Sequence, residues 1–301
     1  MTCKVGKVSL RNPSMLASGI LGETAASMLR VHQAGAGAVV TKSIGLETNE
    51  GYLNPTVFSM KEGLLNAMGL PNPGIMDYGE VVERLVSEKV TVIGSIYGSS
   101  PSEFAKLARA MEEYGAEAVE LNLSCPHAHG VGSEIGSTPE AVSSVVSAVK
   151  GAIDIPVWAK LTPNVASTAE LAVAAEDSGA DAVVCINTVK AMAISADLRM
   201  PVLSNGVGGL SGRAIKPVGL RCVYETFERC SIPIVGVGGI YTGTDAAEYI
   251  MAGATAFQIG TAVSELGVNV FGSVVSELRE FMKREGFADL KEMRGIAHRR
   301  T

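Results

Sequence analysis

The 301-residue chain contains no apolar run approaching the ~18 residues of a membrane span. Its opening stretch, MTCKVGKVSLRNP, lacks the apolar core of a secretory leader, so a soluble, cytoplasmic protein is expected. Cysteine is scarce. Cys3, Cys125, Cys185, Cys222 and Cys230 are odd in number and show no C-x-x-C spacing, which argues against a disulfide framework, a zinc site and an iron–sulfur cluster within this chain. Positive charge is also short: 25 Lys and Arg against 31 Asp and Glu leave a net charge of −6, the wrong sign for affinity built on phosphate neutralisation along a nucleic acid. Aromatics make up only 5%. No G-x-G-x-x-G fingerprint is present. The nearest run, GVGGLSG at 206–212, places Ser211 where the last glycine would fall and follows no clear strand, so a dinucleotide on a Rossmann unit is not expected.

What is abundant is glycine, 34 residues against the ~7% of average usage, within a chain that is 47% hydrophobic and can bury a sizeable core. Four times a Gly-Ala phrase runs directly into an apolar segment: GAGAVVTKS from Gly35, GAEAVELNLS from Gly115, GADAVVCINT from Gly179 and GATAFQIGTA from Gly253. A helix end followed at once by a buried parallel strand is the second half of a βαβ unit. Four more strand-like runs lie between them, SMLAS from Ser14, TVIGSIYG from Thr91, PVWAKLTP from Pro156 and PIVGVGG from Pro233. Helical periodicity is expected over Thr24–Ala34, Ile75–Glu88, Pro101–Tyr114, Pro139–Ala152, Ser167–Ser178, Ile215–Arg229, Gly243–Ala252 and Glu265–Glu285. Eight strands alternating with eight helices predict a closed (β/α)8 TIM barrel, one domain over 1–301, in preference to an open doubly wound sheet. Two long connections, Gly45–Gly74 and Val189–Ala214, and the glycine-rich His127–Ser137 all follow strands. They are therefore expected to roof a pocket at the C-terminal face, with plain surface loops as the alternative.

Strand alternation puts Val40 with Lys42, Glu120 with Asn122, Trp158 with Lys160 and Cys185 with Asn187. A lysine in an apolar strand needs a counter-charge or a use. The two lysines suggest either an anionic ligand or an internal ion pair such as one with Glu120. Gly236–Ile240 and Gln258–Ala262 carry glycines and the Thr261 hydroxyl where such barrels build phosphate sites. His127 and His129 form an H-x-H with no third ligand at metal spacing, so no metal is expected. Cys3, Cys222 and Cys230 read as ordinary small residues and Cys185 as barrel filling. Cys125, at the end of NLSC beside Asn122, is positioned to act as a general base, or is an inert strand-end thiol.

The phrases ELNLSCPH (120–127), AKLTPNV (159–165), INT (186–188), SNGVGGLSGRAIKP (204–217), PIVGVGGI (233–240) and GATAFQIGTA (253–262), with NAMGLPNPG (66–74) and TKS (41–43), resemble the dihydroorotate dehydrogenase family across nearly the whole chain and in the same order. The resemblance implies FMN at the mouth of the barrel and oxidation of (S)-dihydroorotate to orotate in pyrimidine synthesis. A cysteine base marks the family's soluble class. The 204–217 phrase is most similar to the NAD-linked (class 1B) form, whose catalytic subunit works with a second subunit carrying FAD and a [2Fe–2S] cluster, so a homodimer within a heterotetramer is implied. Carried over by position, FMN would meet Ala17, Ser18, Lys42, Ser43, Asn122, Lys160, Ile186, Gly212, Gly238, Gly239, Gly260 and Thr261. The substrate would meet Lys42, Asn66, Met68, Gly69, Leu70, Asn122, Asn187 and Thr188, and Cys125 would be catalytic. One position departs: family members usually read NLSCPN, where this chain has His127. That form also resembles the pyrimidine-reducing domain of dihydropyrimidine dehydrogenases, so a dihydrouracil-type substrate is the second expectation. A barrel that binds a phosphorylated ligand without redox chemistry is the third.

Overall fold

Each of the eight apolar runs forms a short parallel strand, and the strands close on themselves in chain order: Ser14–Leu16, Ala38–Val40, Val92–Ile96, Ala118–Asn122, Val157–Leu161, Ala182–Cys185, Ile234–Val237 and Ala256–Ile259, the last pairing with the first. The computed structural model describes residues 1–124 and 135–299. Cys125, His127, His129 and most of the His127–Ser137 loop lie outside the described residues. The barrel is the expected TIM barrel, and the open sheet is excluded by the closing ladder between Phe257–Ile259 and Ser14–Leu16.

Helices start where side-chain oxygens replace the missing acceptors of the first turn. Thr24, Ser100, Thr138, Ser167 and Thr242 accept from the backbone N–H three residues on, and Pro101 and Pro139 open their helices as expected. In Ile75–Ser87 the buried positions Ile75, Tyr78, Val82 and Leu85 recur at helical spacing and pack on the strands. Fully burying each such side chain contributes about 1.5–3 kcal/mol. Two helical expectations are corrected. The run from Glu265 to Glu285 is two helices, Ala262–Leu266 and Val270–Glu285, because Gly267 adopts φ +71° and turns the chain. The sixth helix runs Lys216–Phe227, preceded by a 3-10 turn at Arg213–Ile215.

Alternation along the strands divides the interior into levels. An unexpected N-terminal hairpin, Cys3–Val5 with Val8–Leu10, puts Val5, Val8 and Leu10 into the same apolar cluster as Met15, Val40, Ile93, Trp158 and Val184. Above that cluster the inward side chains turn polar. The two long connections do form a roof: strands Val57–Met60 and Gly63–Asn66 from the first, and Val189–Met192 and Val207–Ser211 from the second, make one antiparallel sheet. Among the described residues no helix is long and apolar enough to cross a membrane.

Candidate functional site

Between the barrel mouth and the roof sheet lies a cavity of about 760 Å³. Its floor is a buried polar triad drawn from three strands. Lys160 Nζ donates to Glu120 Oε1 (3.1 Å) and to Gln258 Oε1 (3.2 Å), while Gln258 Nε2 donates to Glu120 Oε2 (2.6 Å). Glu120 is wholly buried and Lys160 nearly so, which makes their mutual neutralisation necessary. Lys42 pairs elsewhere, its Nζ 2.8 Å from Oε1 of the exposed Glu23. Both lysines thus line the cavity and both have a carboxylate, so the ion-pair reading holds for each, and their place in the cavity leaves them within reach of a ligand.

One wall is a chain of short polar groups crossing the mouth. Thr188 N–H donates to Asn187 Oδ1 (2.8 Å), Asn187 Nδ2 to Asn122 Oδ1 (3.1 Å), and Asn122 Nδ2 to Ser43 Oγ (3.1 Å). Ser43 Oγ in turn lies 3.1 Å from Ser18 Oγ and 2.9 Å from Ser95 Oγ. These contacts fix both amides, so that their remaining donors and acceptors keep a set orientation toward the cavity. Ser124 Oγ is buried on the same wall without a hydrogen-bond partner among the described residues.

The opposite wall is built of glycines. Gly212 (φ +94°), Gly238 (φ +129°) and Gly239 (φ +69°) occupy conformations that L side chains rarely adopt. An added Cβ at Gly239 would meet Lys216 Cβ at 2.7 Å, and one at Gly212 would meet Gly63 Cα at 2.6 Å. The backbone N–H groups of Gly238, Gly239, Gly260 and Thr261 donate to no acceptor among the described residues, and these four residues line the cavity. Thr261 Oγ1 bonds to Ser211 Oγ at 2.8 Å. Clustered free donors on glycine backbone suit a phosphate.

The roof supplies Asn66, whose Nδ2 donates to Gly209 O (3.2 Å), and Met68, Gly69 and Leu70. Leu70 holds φ +56° although it bears a side chain. Asn72 fastens that loop, accepting from Gly45 and Gly74 N–H and donating to Leu70 O and Tyr97 Oη. Gly209 allows the roof to approach closely, since a Cβ there would lie 2.1 Å from Thr188 Oγ1.

Every described position carried over from the family lines this cavity: Ala17, Ser18, Lys42, Ser43, Asn66, Met68, Gly69, Leu70, Asn122, Lys160, Ile186, Asn187, Thr188, Gly212, Gly238, Gly239, Gly260 and Thr261. Cys125 lies outside the described residues, directly after Ser124. Burial pushes the thiols of Cys3 and Cys230 up to about 12 and raises those of Cys185 and Cys222, so the four described cysteines are poorly suited to proton transfer. Cys185 is not barrel filling. The strand ends there with Val184 facing inward, and Cys185 packs outward against the helices, its Sγ 3.9 Å from Thr226 Oγ1, so it does not share a face with Asn187. Gln258 and Ser95 were missed, although each stands two residues after an inward-facing strand residue, Ala256 and Ile93.

Residues 1–282 match the family model described as dihydroorotate dehydrogenase. Among curated proteins, the chain is 49% identical over 295 residues to the "Dihydroorotate dehydrogenase B (NAD(+)), catalytic subunit" of Methanocaldococcus jannaschii, covering 97% of this chain and 96% of that one. Proteins with the same description from Thermoplasma acidophilum (50% over 299 residues, 99% of each chain) and Thermococcus kodakarensis (50% over 297 residues, 99% of this chain and 98% of that one) are similarly close.

Proposed function

Because the chain belongs to the dihydroorotate dehydrogenase family of oxidoreductases, we propose that it is an FMN-binding catalytic subunit that oxidises (S)-dihydroorotate to orotate in pyrimidine biosynthesis. The observation that carries this reading is the composition of one cavity: free backbone donors on one wall, fixed amides on the other and a lysine on the floor.

These residues fit a phosphorylated flavin. Gly212, Gly238, Gly239, Gly260 and Thr261 would hold the phosphate, while Ala17, Ser18, Ser43, Asn122 and Ile186 would lie along the ring system, with Lys42 at its substrate side. FMN, when bound, supplies the acceptor for the hydride that leaves C6 of the substrate. Lys160 places positive charge where negative charge accumulates on reduction. Asn66, Asn122, Asn187 and Thr188 present donors and acceptors to the imide edge of the pyrimidine. Lys42 meets the carboxylate, and Met68, Gly69 and Leu70 cover the ring. Cys125 takes the proton from C5.

The printed description of the relatives names NAD⁺ and a catalytic subunit. In this chain the lack of a dinucleotide fingerprint and of clustered cysteines supports a route in which electrons reach NAD⁺ through a second subunit carrying FAD and a [2Fe–2S] cluster. That subunit would join a homodimer of this chain in a cytoplasmic heterotetramer.

A second reading has one observation in its favour. Glu23 lies 2.8 Å from Lys42, and a carboxylate there favours a neutral dihydropyrimidine over an acidic one. Steady-state assays with dihydroorotate and dihydrouracil separate the two. Turnover of dihydroorotate with a far higher kcat/KM is expected, and turnover confined to dihydrouracil would replace the first reading by the second.

A further inference from the structure

The peptide between Gly238 and Gly239 is held from behind the cavity wall. Tyr249, on helix Gly243–Met251, is completely buried, and its hydroxyl donates to Gly238 O at 2.7 Å, with Val237 O farther off at 3.5 Å. In a trans peptide the carbonyl and the next N–H point in opposite directions. A Gly238 carbonyl drawn outward to Tyr249 therefore turns the Gly239 N–H toward the cavity. Two further glycines exist beside this ring at positions where no side chain fits. A Cβ at Gly236 would come within 2.4 Å of Tyr249 Cδ1, and one at Gly219, on helix Lys216–Phe227, within 2.0 Å of its hydroxyl oxygen. Burial raises the phenol far above its ordinary range, so it remains a donor at neutral pH.

We propose that Tyr249 is a positioning residue for anion binding: it touches no ligand, but by anchoring the Gly238 carbonyl it aims the Gly239 N–H at the phosphate of the cofactor. This rests on the phosphate reading of the glycine wall given above. Removing the hydroxyl leaves a buried carbonyl unpaired and frees the peptide to rotate, at a cost of about five- to tenfold in affinity for the phosphorylated ligand.

The test compares FMN with riboflavin, which lacks the phosphate, by flavin-fluorescence quenching on the full-length protein stripped of flavin, with thermal unfolding of the stripped protein as a control for folding. If the wild type binds FMN no more tightly than riboflavin, the phosphate reading fails and the proposal with it. If the wild type prefers FMN, Tyr249→Phe should raise the FMN Kd about five- to tenfold while leaving the riboflavin Kd unchanged. An FMN-to-riboflavin preference equal to wild type in Tyr249→Phe, including an equal loss for both ligands, would overturn the role of Tyr249 and leave the phosphate reading intact. Gly219→Ala tests the same contact independently by displacing the hydroxyl. It should reproduce the selective loss on its own and add little in the Tyr249→Phe background, where the oxygen it crowds is gone; additive losses would contradict the proposal.

Discussion

Lys160 and Glu120 stand on adjacent barrel strands with Nζ 3.1 Å from Oε1, under a cavity that both Lys160 and its second partner, Gln258, line. Taking one member of such a pair away strands the other charge in the interior. Glu120→Ala should destabilise the protein by about 3–5 kcal/mol in urea denaturation. Glu120→Ala with Lys160→Met should recover much of that loss, because no unpaired charge remains. A double variant as unstable as the single would mean that the pair contributes packing rather than charge compensation.

The amide chain from Thr188 through Asn187 and Asn122 to Ser43 makes a coupled prediction. Asn122→Ala and Asn187→Ala should each lower kcat/KM for dihydroorotate by about ten- to a hundredfold, since each removes a proposed substrate contact and releases its neighbour. Their effects should be non-additive, with a coupling of about 0.5–3 kcal/mol in a double-mutant cycle. Strict additivity would show that the two amides act separately.

Cys125→Ser should leave flavin content unchanged and slow turnover by about 10²–10⁴-fold near neutral pH, with the rate recovering as pH rises, because a serine hydroxyl is a far weaker base. An unaltered rate would move the base to another residue. The other four cysteines offer no ready substitute, their thiols being raised by burial.

Asp245 ties the turn after the seventh strand to the following helix. It accepts from the Tyr241 and Thr242 N–H groups and pairs with Lys216 at 2.6 Å. Burial pushes its carboxyl up, but the Lys216 ammonium, the Tyr241 N–H and the Thr242 hydroxyl outweigh burial and hold it below its ordinary value of 3.8. A depressed carboxyl stabilises the fold above the unfolded value, and that contribution is lost as pH falls from about 4 through the folded value. Asp245→Asn should therefore cost about 1–2 kcal/mol at pH ~7 and much less at the acid end of that window, measured by thermal unfolding at several pH values. An equal loss at every pH would assign Asp245 a purely steric role.

The barrel and its roof were legible because both rest on local signals. Helix-ending glycines run straight into apolar strands, and both long insertions follow strands. The positions carried over from the family line one cavity, but alternation by itself marks only a few of them, such as Lys42, Asn122 and Lys160, and most of the rest come from the resemblance. What escaped was set by distance in the chain. Glu120, 40 residues from Lys160, is among the expected counter-charges, but the second partner, Gln258, lies 98 residues away and carries no local signal. Tyr249 reads as one more apolar position of an amphipathic helix until its hydroxyl is seen against Gly238. Cys185 faces outward after the inward Val184, and because the strand ends at that residue alternation cannot be carried on to Asn187.

The most direct measurement is anaerobic mixing of the purified flavin-bound protein with a single substrate, following the visible absorbance of the flavin. Dihydroorotate should bleach it rapidly, with one orotate formed per flavin, while dihydrouracil should leave it oxidised. A flavin that stays oxidised with dihydroorotate, or a purified protein that neither contains nor takes up FMN, would contradict the assignment.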